Sequence, residues 1–490
     1  MISTQRASHL PWLSLWWIAV TIASRYVHSP RLPGECLWTE SLGSMLGYCV
    51  LMFPLRDRRL LGGIPAVVYV LGHYHGNLWA HKWALPVLME LGGYSRMKSL
   101  ALLTVLGLAL GGSFWLLLRL GSALRRSSIA IAVLVFGGVL ATGEYWISSY
   151  LPWIEPTTTG FLIADVWGGP SMVQVAGTAL ACFLFTCLTA SVLLQSWRCA
   201  CGSLAAFAVA LSLAQLARAA ADRDEVVTVP IDGLQIAPKP AGADWRARQV
   251  EIYREAEAQS TSLIVVWPER AYPFIERIEH ATALAHLAMP AHQTRILGLH
   301  ASVNLFGVAN AVLVQEPDEN GGTMQYRYKR RLAPLYETRR LSIATSPDEL
   351  LTIRRHRAFV PICYEILDRQ YFQNRAASLG ISISADTFDR SGAASVLLTR
   401  ATWLRSLEFG IPFVRVSNAS YSAAFDRQGH VLRQLGRGDG VLRASVPVLA
   451  SPRTCGRSQR SFVCALMLIV AVCLAHTWMA ARNNTSRLGG

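Results

Sequence analysis

Three stretches of this chain carry residue types suited to nucleophilic chemistry. Phe359-Val360-Pro361-Ile362-Cys363-Tyr364-Glu365-Ile366 is a short apolar run that delivers a cysteine and turns at once to polar residues. A buried strand presents a nucleophile at its end in this way. Leu263-Ile264-Val265-Val266-Trp267-Pro268-Glu269 is a second buried-strand pattern, and it ends in a carboxylate. Tyr326-Arg327-Tyr328-Lys329-Arg330-Arg331-Leu332-Ala333-Pro334-Leu335-Tyr336-Glu337 supplies a lysine and, eight residues later, another carboxylate. A carboxylate can accept a thiol proton, and an ammonium group can stabilise both a thiolate and the oxyanion formed when it attacks a carbonyl. Each residue alone also fits a bland role. A lone cysteine after an apolar run is commonly core, a lysine beside Arg330 and Arg331 is commonly solvated, and Trp-Pro-Glu can simply end a strand.

The elements that must position these residues divide the chain. At 490 residues with 52% apolar content, it is too apolar for a plain soluble enzyme, and the apolar runs cluster before residue 220 and after residue 460. They are Trp12 to Ser24, roughly 41–54, 60–73, 99–119, 128–148, 171–195 and 201–219, and last Ser461 to Ala480. This predicts about seven transmembrane helices, a polar domain, and one final helix. The first run has a short basic preface but no small-residue cleavage site, so it reads as a retained helix. The polar part alternates strands with helices, which argues an α/β layered domain. Expected elements are a strand at Val226–Ile231, a helix from Trp245 to Ser260, the strand ending at Glu269 and a helix near 275–289. Strands at 295–299 and 309–314 follow, then a hairpin turn at 317–322 closing onto 325–328. After Cys363 a helix from about 368 to 379 leads into the strand Ile381–Ser384.

Charge sets the orientation. Arg56, Arg58 and Arg59 share a loop, Arg119, Arg125 and Arg126 flank another, and Arg198, Arg482 and Arg487 fall on the same side. The opposite loop, 149–169, has no Lys or Arg but carries Glu155 and Asp165. The positive-inside rule then puts both termini in the cytoplasm and residues 220–455 beyond the inner membrane, in the periplasm of a Gram-negative cell. The net charge of +15 is scattered and accompanies no nucleic-acid motif, so nucleic acid is excluded as a partner. Of ten cysteines, Cys49, Cys182, Cys187, Cys464 and Cys473 lie in apolar segments, and Cys199 and Cys201 have no second pair at metal-site spacing. Neither a disulfide framework nor a metal site is implied. His73, His75 and His81 read as interfacial residues among tryptophans rather than ligands, and Glu144 near the outer end of the 128–148 run marks either a polar cavity or a solvated interface.

Together the three stretches resemble the carbon–nitrogen hydrolase (nitrilase) superfamily, whose triad is Glu-Lys-Cys in this order. The likeness is greatest to its membrane branch, the apolipoprotein N-acyltransferase family. It extends to Arg400-Ala401-Thr402-Trp403-Leu404-Arg405-Ser406-Leu407-Glu408-Phe409-Gly410-Ile411-Pro412, with Arg415 and Asn418 after it. The resemblance implies a nitrilase-type αββα sandwich at 221–455, carried on an all-α multi-pass membrane domain (1–220, with 456–490 as final helix and tail) of about eight transmembrane helices. It implies transfer of an acyl chain from a phospholipid to an amine or lipoprotein acceptor, with no metal, nucleotide or other cofactor. Glu269 would be the base, Lys329 the electrophilic stabiliser and Cys363 the nucleophile that forms a thioester. Glu337 would orient Lys329, with Tyr364 and Glu365 in supporting places. The sequence departs from the family at Ser384-Ala385-Asp386-Thr387-Phe388-Asp389 and at Leu332–Thr338, loops that would shape the acceptor pocket. A divergent branch, the conjugal transfer protein TraB, is therefore an alternative for the biological role, with acyltransferase, amidase or no catalytic activity.

Overall fold

The computed structural model describes residues 10–488 apart from 29–30, 34–37, 81–83, 91–92, 127, 165–168, 222, 238–244, 276–291, 304–306, 318–322, 335–336, 340, 344–348, 388, 390 and 456. Helices cover all the apolar runs: α1 (Leu10–His28), α2 (Trp38–Met52), α3 (Gly63–Ala80), α4 (Ala84–Glu90), α5 (Arg96–Leu124), α6 (Ile129–Tyr150), α7 (Thr159–Ile163), α8 (Gly169–Leu193) and α9 (Trp197–Ala221), with a last helix at Arg457–Leu488. Serines cap two of the long ones. Ser95 Oγ accepts from the Lys98 amide and Ser128 Oγ from the Ile131 amide, each at 3.4 Å, occupying donors the first helical turn leaves open. Among the described residues five helices are long and apolar enough to cross a membrane: Arg96–Leu124, Ile129–Tyr150, Gly169–Leu193, Trp197–Leu216 and Gln459–Ala480. At 15 residues α2 is short of a full span.

The two basic loops meet. Arg125 Nη1 donates to the carbonyls of Leu55 (3.4 Å) and Arg56 (3.3 Å), and Arg58 Nη2 donates to Ser122 O at 2.9 Å. Elsewhere α8 is broken. Ala176 (φ −148°) and Gly177 (φ +72°) leave the helical region, and a Cβ on Gly177 would lie 2.3 Å from Gln459 Cδ of the last helix. Glycine serves both demands.

The polar part is a sandwich of two six-stranded sheets. One runs β13-β1-β2-β3-β4-β5 and the other β12-β11-β10-β9-β7-β6. In the first, β1 (Val226–Gln235), β2 (Ile264–Ile275) and β3 (Thr294–Ser302) are parallel neighbours, and β4 (Val308–Glu316) and β5 (Thr323–Tyr328) continue it antiparallel. The second holds β6 (Leu351–Ile353), β7 (His356–Phe359), β9 (Leu379–Ser384), β10 (Phe413–Ser417), β11 (Ser422–Phe425) and β12 (Val431–Leu435). β13 (Gly440–Leu449) closes the first sheet beside β1, and short β8 (Ala376–Ala377) pairs with β14 (Arg453–Thr454).

Strand alternation decides the layers. On β2, Ile264 and Val266 join Ile231, Ile296, Val312, Ile381, Ile383, Val414 and Val416 in the core between the sheets. Val265 and Trp267 point the other way, to α10 (Trp245–Ala258), where Tyr253 stacks on Trp267 with ring centroids 4.9 Å apart. Such a stacked pair adds about 1 kcal/mol beyond its buried area. The helix Ala393–Phe409 covers the far face of β10. The layers are α, β, β and α.

Two expectations need correction. β2 does not end at Glu269 but runs on to Ile275 with broken register. The helix placed at about 368–379 shrinks to Arg369–Phe372, after a 3-10 turn at Cys363–Leu367. Gln373 (ψ 140°) is already extended and Asn374 is left-handed (φ +61°), so the helix cannot continue. The helix expected near 275–289 and the turn expected at 317–322 lie outside the described residues, save Pro317 and Ile275, which closes β2.

Candidate active site

Glu269 owes its place to a bulge. β2 pairs with β3 in register as far as Trp267↔Leu297 and resumes at Tyr272↔Leu299, so Pro268 to Ala271 face Gly298 alone. Pro268 has no amide to donate to the ladder, and Arg270 turns left-handed at φ +61°. A Cβ on Gly298 would sit 2.2 Å from Pro268 O and 2.6 Å from Glu269 Cα. Only glycine leaves room for the bulge. The Glu269 carboxylate is buried. Its Oε1 accepts from Asn310 Nδ2 (2.6 Å) and Lys329 Nζ (3.3 Å), and its Oε2 from the Ala385 amide (2.8 Å). Burial raises its carboxyl pKa, against the pull of the Lys329 ammonium and with the repulsion of Glu337.

Lys329 follows β5, and its amide extends the β4–β5 pairing by donating to Asn310 O at 2.8 Å. The side chain is 0% exposed. A buried ammonium group must be paired, and Nζ donates to Glu337 Oε1 at 2.7 Å as well as to Glu269. Glu337 in turn accepts from the Ala333 amide at 2.6 Å and from Asn310 Nδ2 at 3.4 Å.

Cys363 stands where β7's extension ends. Ile362 bridges to Ile383 of β9, and Cys363 then opens the 3-10 turn with φ +51°. A non-glycine residue holds such a conformation only where its surroundings over-determine it. Glu365 does much of that. Its carboxylate accepts from the amides of Ile362 (2.9 Å), Arg330 (2.6 Å) and Arg331 (3.3 Å), and from Arg327 Nη2. Arg327 Nη1 also holds Val360 O. The buried thiol is pushed well above the ordinary thiol range, by burial first and then by Glu269, while Lys329 opposes the shift. That shift favours the neutral thiol over the thiolate.

The loop after β9 closes the site. Ala385 binds Glu269, and Asp386 is tied to the end of β10 by Arg415 Nη2 (2.5 Å), Ser417 Oγ (2.8 Å) and Asn418 Oδ1, which accepts the Asp386 amide at 3.0 Å. Arg415 and Asn418, singled out in the sequence beside the long 400–412 match, thus hold the loop that carries Ala385. Glu269, Lys329 and Glu337 are in direct contact, and Cys363 feels the charge of all three. Glu365 lies behind the turn that Cys363 opens, and half-buried Tyr364 packs on the main core. Asn310 and Arg327 were not anticipated. The available signal was a polar residue inside a buried strand, Ala309-Asn310-Ala311-Val312, and an arginine on the buried face of β5.

Away from this site, His73 stacks between Tyr69 (6.2 Å) and Phe114 (5.9 Å), and His75 Nδ1 lies 2.8 Å from Leu71 O. His81 lies outside the described residues. Glu144 is engaged with the amides of Thr159 (2.7 Å) and Gly160 (3.2 Å).

No family model matches the chain. It is similar to apolipoprotein N-acyltransferase of Verminephrobacter eiseniae, at 25% identity over 89% of this chain and 89% of that protein. The protein of the same name from Vibrio cholerae is 23% identical over 74% of this chain and 79% of its own. That of Shewanella oneidensis is 24% identical over 42% and 47%. Solved structures that match include an amidase from Nesterenkonia sp. (16% identity, 45% of this chain and 90% of that one, TM-score 0.37). A CN-hydrolase superfamily protein from Xanthomonas campestris also matches (16%, 46% and 91%, TM-score 0.38). The similarity to the Verminephrobacter eiseniae protein spans most of both chains.

Proposed function

We propose that this chain is a membrane-embedded acyltransferase of the carbon–nitrogen hydrolase type. It moves an acyl chain from a phospholipid to the amine of a lipoprotein-like acceptor through a thioester on Cys363. The observation that carries this reading is Lys329 Nζ held between Glu269 (3.3 Å) and Glu337 (2.7 Å), with Cys363 in their field. The five membrane-length helices among the described residues suit a lipid donor. The similarity to proteins named apolipoprotein N-acyltransferase supports the same substrate classes.

The steps follow from the groups. Glu269 takes the Cys363 proton as sulfur attacks the ester carbonyl, and Lys329 stabilises the oxyanion. Collapse breaks the acyl C–O bond, and protonated Glu269 returns the proton to the leaving alkoxide of the lysophospholipid. An amine then attacks the thioester, Glu269 takes its proton, and the departing thiolate recovers it. A raised carboxyl pKa suits a group that must both take and give a proton. Glu337 and Asn310 orient Lys329 and Glu269. In this reading residues 1–220 and 456–490 are the membrane part and 221–455 the catalytic domain, on the periplasmic face of a bacterial inner membrane. The contact of the basic loops through Arg58 and Arg125 on one end supports that orientation.

The test is the adduct. Protein purified from membranes is expected to carry a fatty-acyl mass on the peptide spanning Cys363, released by neutral hydroxylamine, and Glu269→Gln is expected to carry none. A free Cys363 after incubation with phospholipid, together with a fully active Cys363→Ala variant in the cell, overturns the enzyme reading. That is the result expected of a non-catalytic conjugation factor. An adduct from small amides and none from lipid converts the reading to an amidase.

A further inference from the structure

Glu155 belongs to the segment between α6 and α7, on the loop free of Lys and Arg, yet it is 0% exposed. It sits in a closed network of two carboxylates and two guanidinium groups. Arg369 Nη2 lies 2.8 Å from Glu155 and 3.3 Å from Glu408, and Arg405 pairs with Glu155 through Nη2 and with Glu408 through Nη1 at 2.5 Å. Thr178 of α8 joins it from the membrane side with two groups. Thr178 follows the break in α8 at Ala176–Gly177; its amide donates to Glu408 Oε1 at 3.4 Å, and its hydroxyl meets Arg369. The charges cancel, which is what makes their burial tolerable.

The network also reaches the reaction centre. Arg405 Nε donates to Ile366 O at 2.9 Å and Nη2 to Leu367 O at 3.2 Å. Those carbonyls end the 3-10 turn that Cys363 opens at φ +51°. Glu365 secures the turn on the side of β5, and Arg405 secures its other end. Arg405 spans from Glu155 to the turn, so the membrane segment and the nucleophile are separated by one side chain.

We propose that Glu155 is a positioning residue for Cys363. By holding Arg405 and Arg369 it lets the α6–α7 segment of the membrane domain fix the nucleophile turn from behind. The proposal rests on the acyltransferase reading for its kinetic consequence only. Its structural consequence, that the turn loosens when Glu155 loses its charge, stands apart from what the enzyme acylates.

The experiment uses the full chain in nanodiscs of phospholipid, with Glu155→Gln, the charge-keeping Glu155→Asp, and the balanced double variant Glu155→Gln with Arg369→Gln. Asp224→Asn serves as control, since Asp224 pairs with Arg427 at 2.9 Å away from the turn. Two quantities are read: hydrogen exchange of the peptide covering 363–368 against peptides from β1 and β4, and the kcat and KM of Cys363 acylation by phospholipid. Glu155→Gln is expected to speed exchange in 363–368 alone and to lower kcat on the order of tenfold to a hundredfold, leaving the KM for phospholipid about unchanged. Glu155→Asp is expected to recover part of kcat, and Asp224→Asn to match the wild type. If Glu155→Gln does not fold, the double variant is read in its place. It restores neutrality, so a purely structural role predicts wild-type exchange and kcat, whereas positioning predicts that both defects persist. Unchanged exchange at 363–368, or exchange that rises equally in β1 and β4, overturns the proposal. A wild-type protein that takes no acyl chain sinks the acyltransferase reading while the exchange result still decides the role of Glu155.

Discussion

Arg327 on β5 grips both oxygens of Glu365, with Nη2 at 2.8 Å from Oε1 and 2.7 Å from Oε2, and neither side chain reaches solvent. The strand that delivers Lys329 and the turn that delivers Cys363 are thereby one unit. Glu365→Gln leaves the buried Arg327 charge uncompensated, a loss of about 3–5 kcal/mol in the stability of the sandwich. Chemical denaturation followed by near-UV circular dichroism is expected to show it, and the folded fraction is expected to form the Cys363 adduct far more slowly. A variant of wild-type stability and acylation rate would show that Glu365 is dispensable.

Lys329 and its neighbour separate chemistry from surface charge. Lys329→Ala is expected to slow acylation of Cys363 by roughly a hundredfold or more, the size of effect seen when a main charge stabiliser is lost. Arg330, whose side chain is half-exposed and pairs with Glu349, is expected to matter far less when changed to Ala. Equal small effects in single-turnover assays would reduce Lys329 to an ordinary buried cation.

Proton uptake by Glu269 sets a pH limit. Burial raises its pKa, so it protonates, and in the proposed role would stop serving as a base, at a pH higher than an ordinary glutamate. The acid limb of the acylation rate profile is therefore expected above the usual value of about 4.3. The stability it contributes is fully present below the ordinary carboxylate value and is lost as pH rises through the raised one. Rate measurements from pH 4 to pH 8 check the limb. A rate that stays flat down to the ordinary value excludes Glu269 as the base.

Gly298→Ala tests the bulge. The added Cβ would meet Pro268 O at 2.2 Å, so β2 must shift and carry Glu269 with it. Thermal unfolding is expected to report a loss of about 1–3 kcal/mol, and adduct formation is expected to fall with it. Full acylation by Gly298→Ala would mean that Glu269 tolerates displacement.

Topology is checked by reporters active only outside the cytoplasm. One fused after Ala450 is expected to be active and one fused after Gly490 silent, following the side occupied by Arg56, Arg58, Arg59 and Arg125. The opposite pattern reverses the orientation.

What could be read in the sequence was local. Apolar runs, strand alternation and the order of Glu269, Lys329 and Cys363 are properties of short windows, and the helices and both sheets follow them. What stayed hidden depends on distant partners. The bulge at Glu269 requires Gly298 on the next strand, and the donors on Glu269 include Asn310 on a third. Glu155 read as a charge on an outer loop, because nothing near it in the chain announces Arg369 or Arg405. The helix after Cys363 was overextended because its polar composition suits a helix, while the left-handed Asn374 and the pairing of β8 with β14 end it early.

The pairing of β1 with β13 has a bearing on biogenesis. Val226 lies opposite Leu449, and Gln235 opposite Gly440, so the first strand after the membrane helices waits for the last long strand before the final helix. Nearly the whole sandwich must leave the ribosome in between. Until then β1 exposes an open edge that invites wrong partners, and the high sequence separation of the pair makes closure late and slow. A nascent chain stalled between Cys363 and Gly440 would hold Glu269, Lys329 and Cys363 in an unfinished sandwich, and such a chain would be a client for chaperones and proteases.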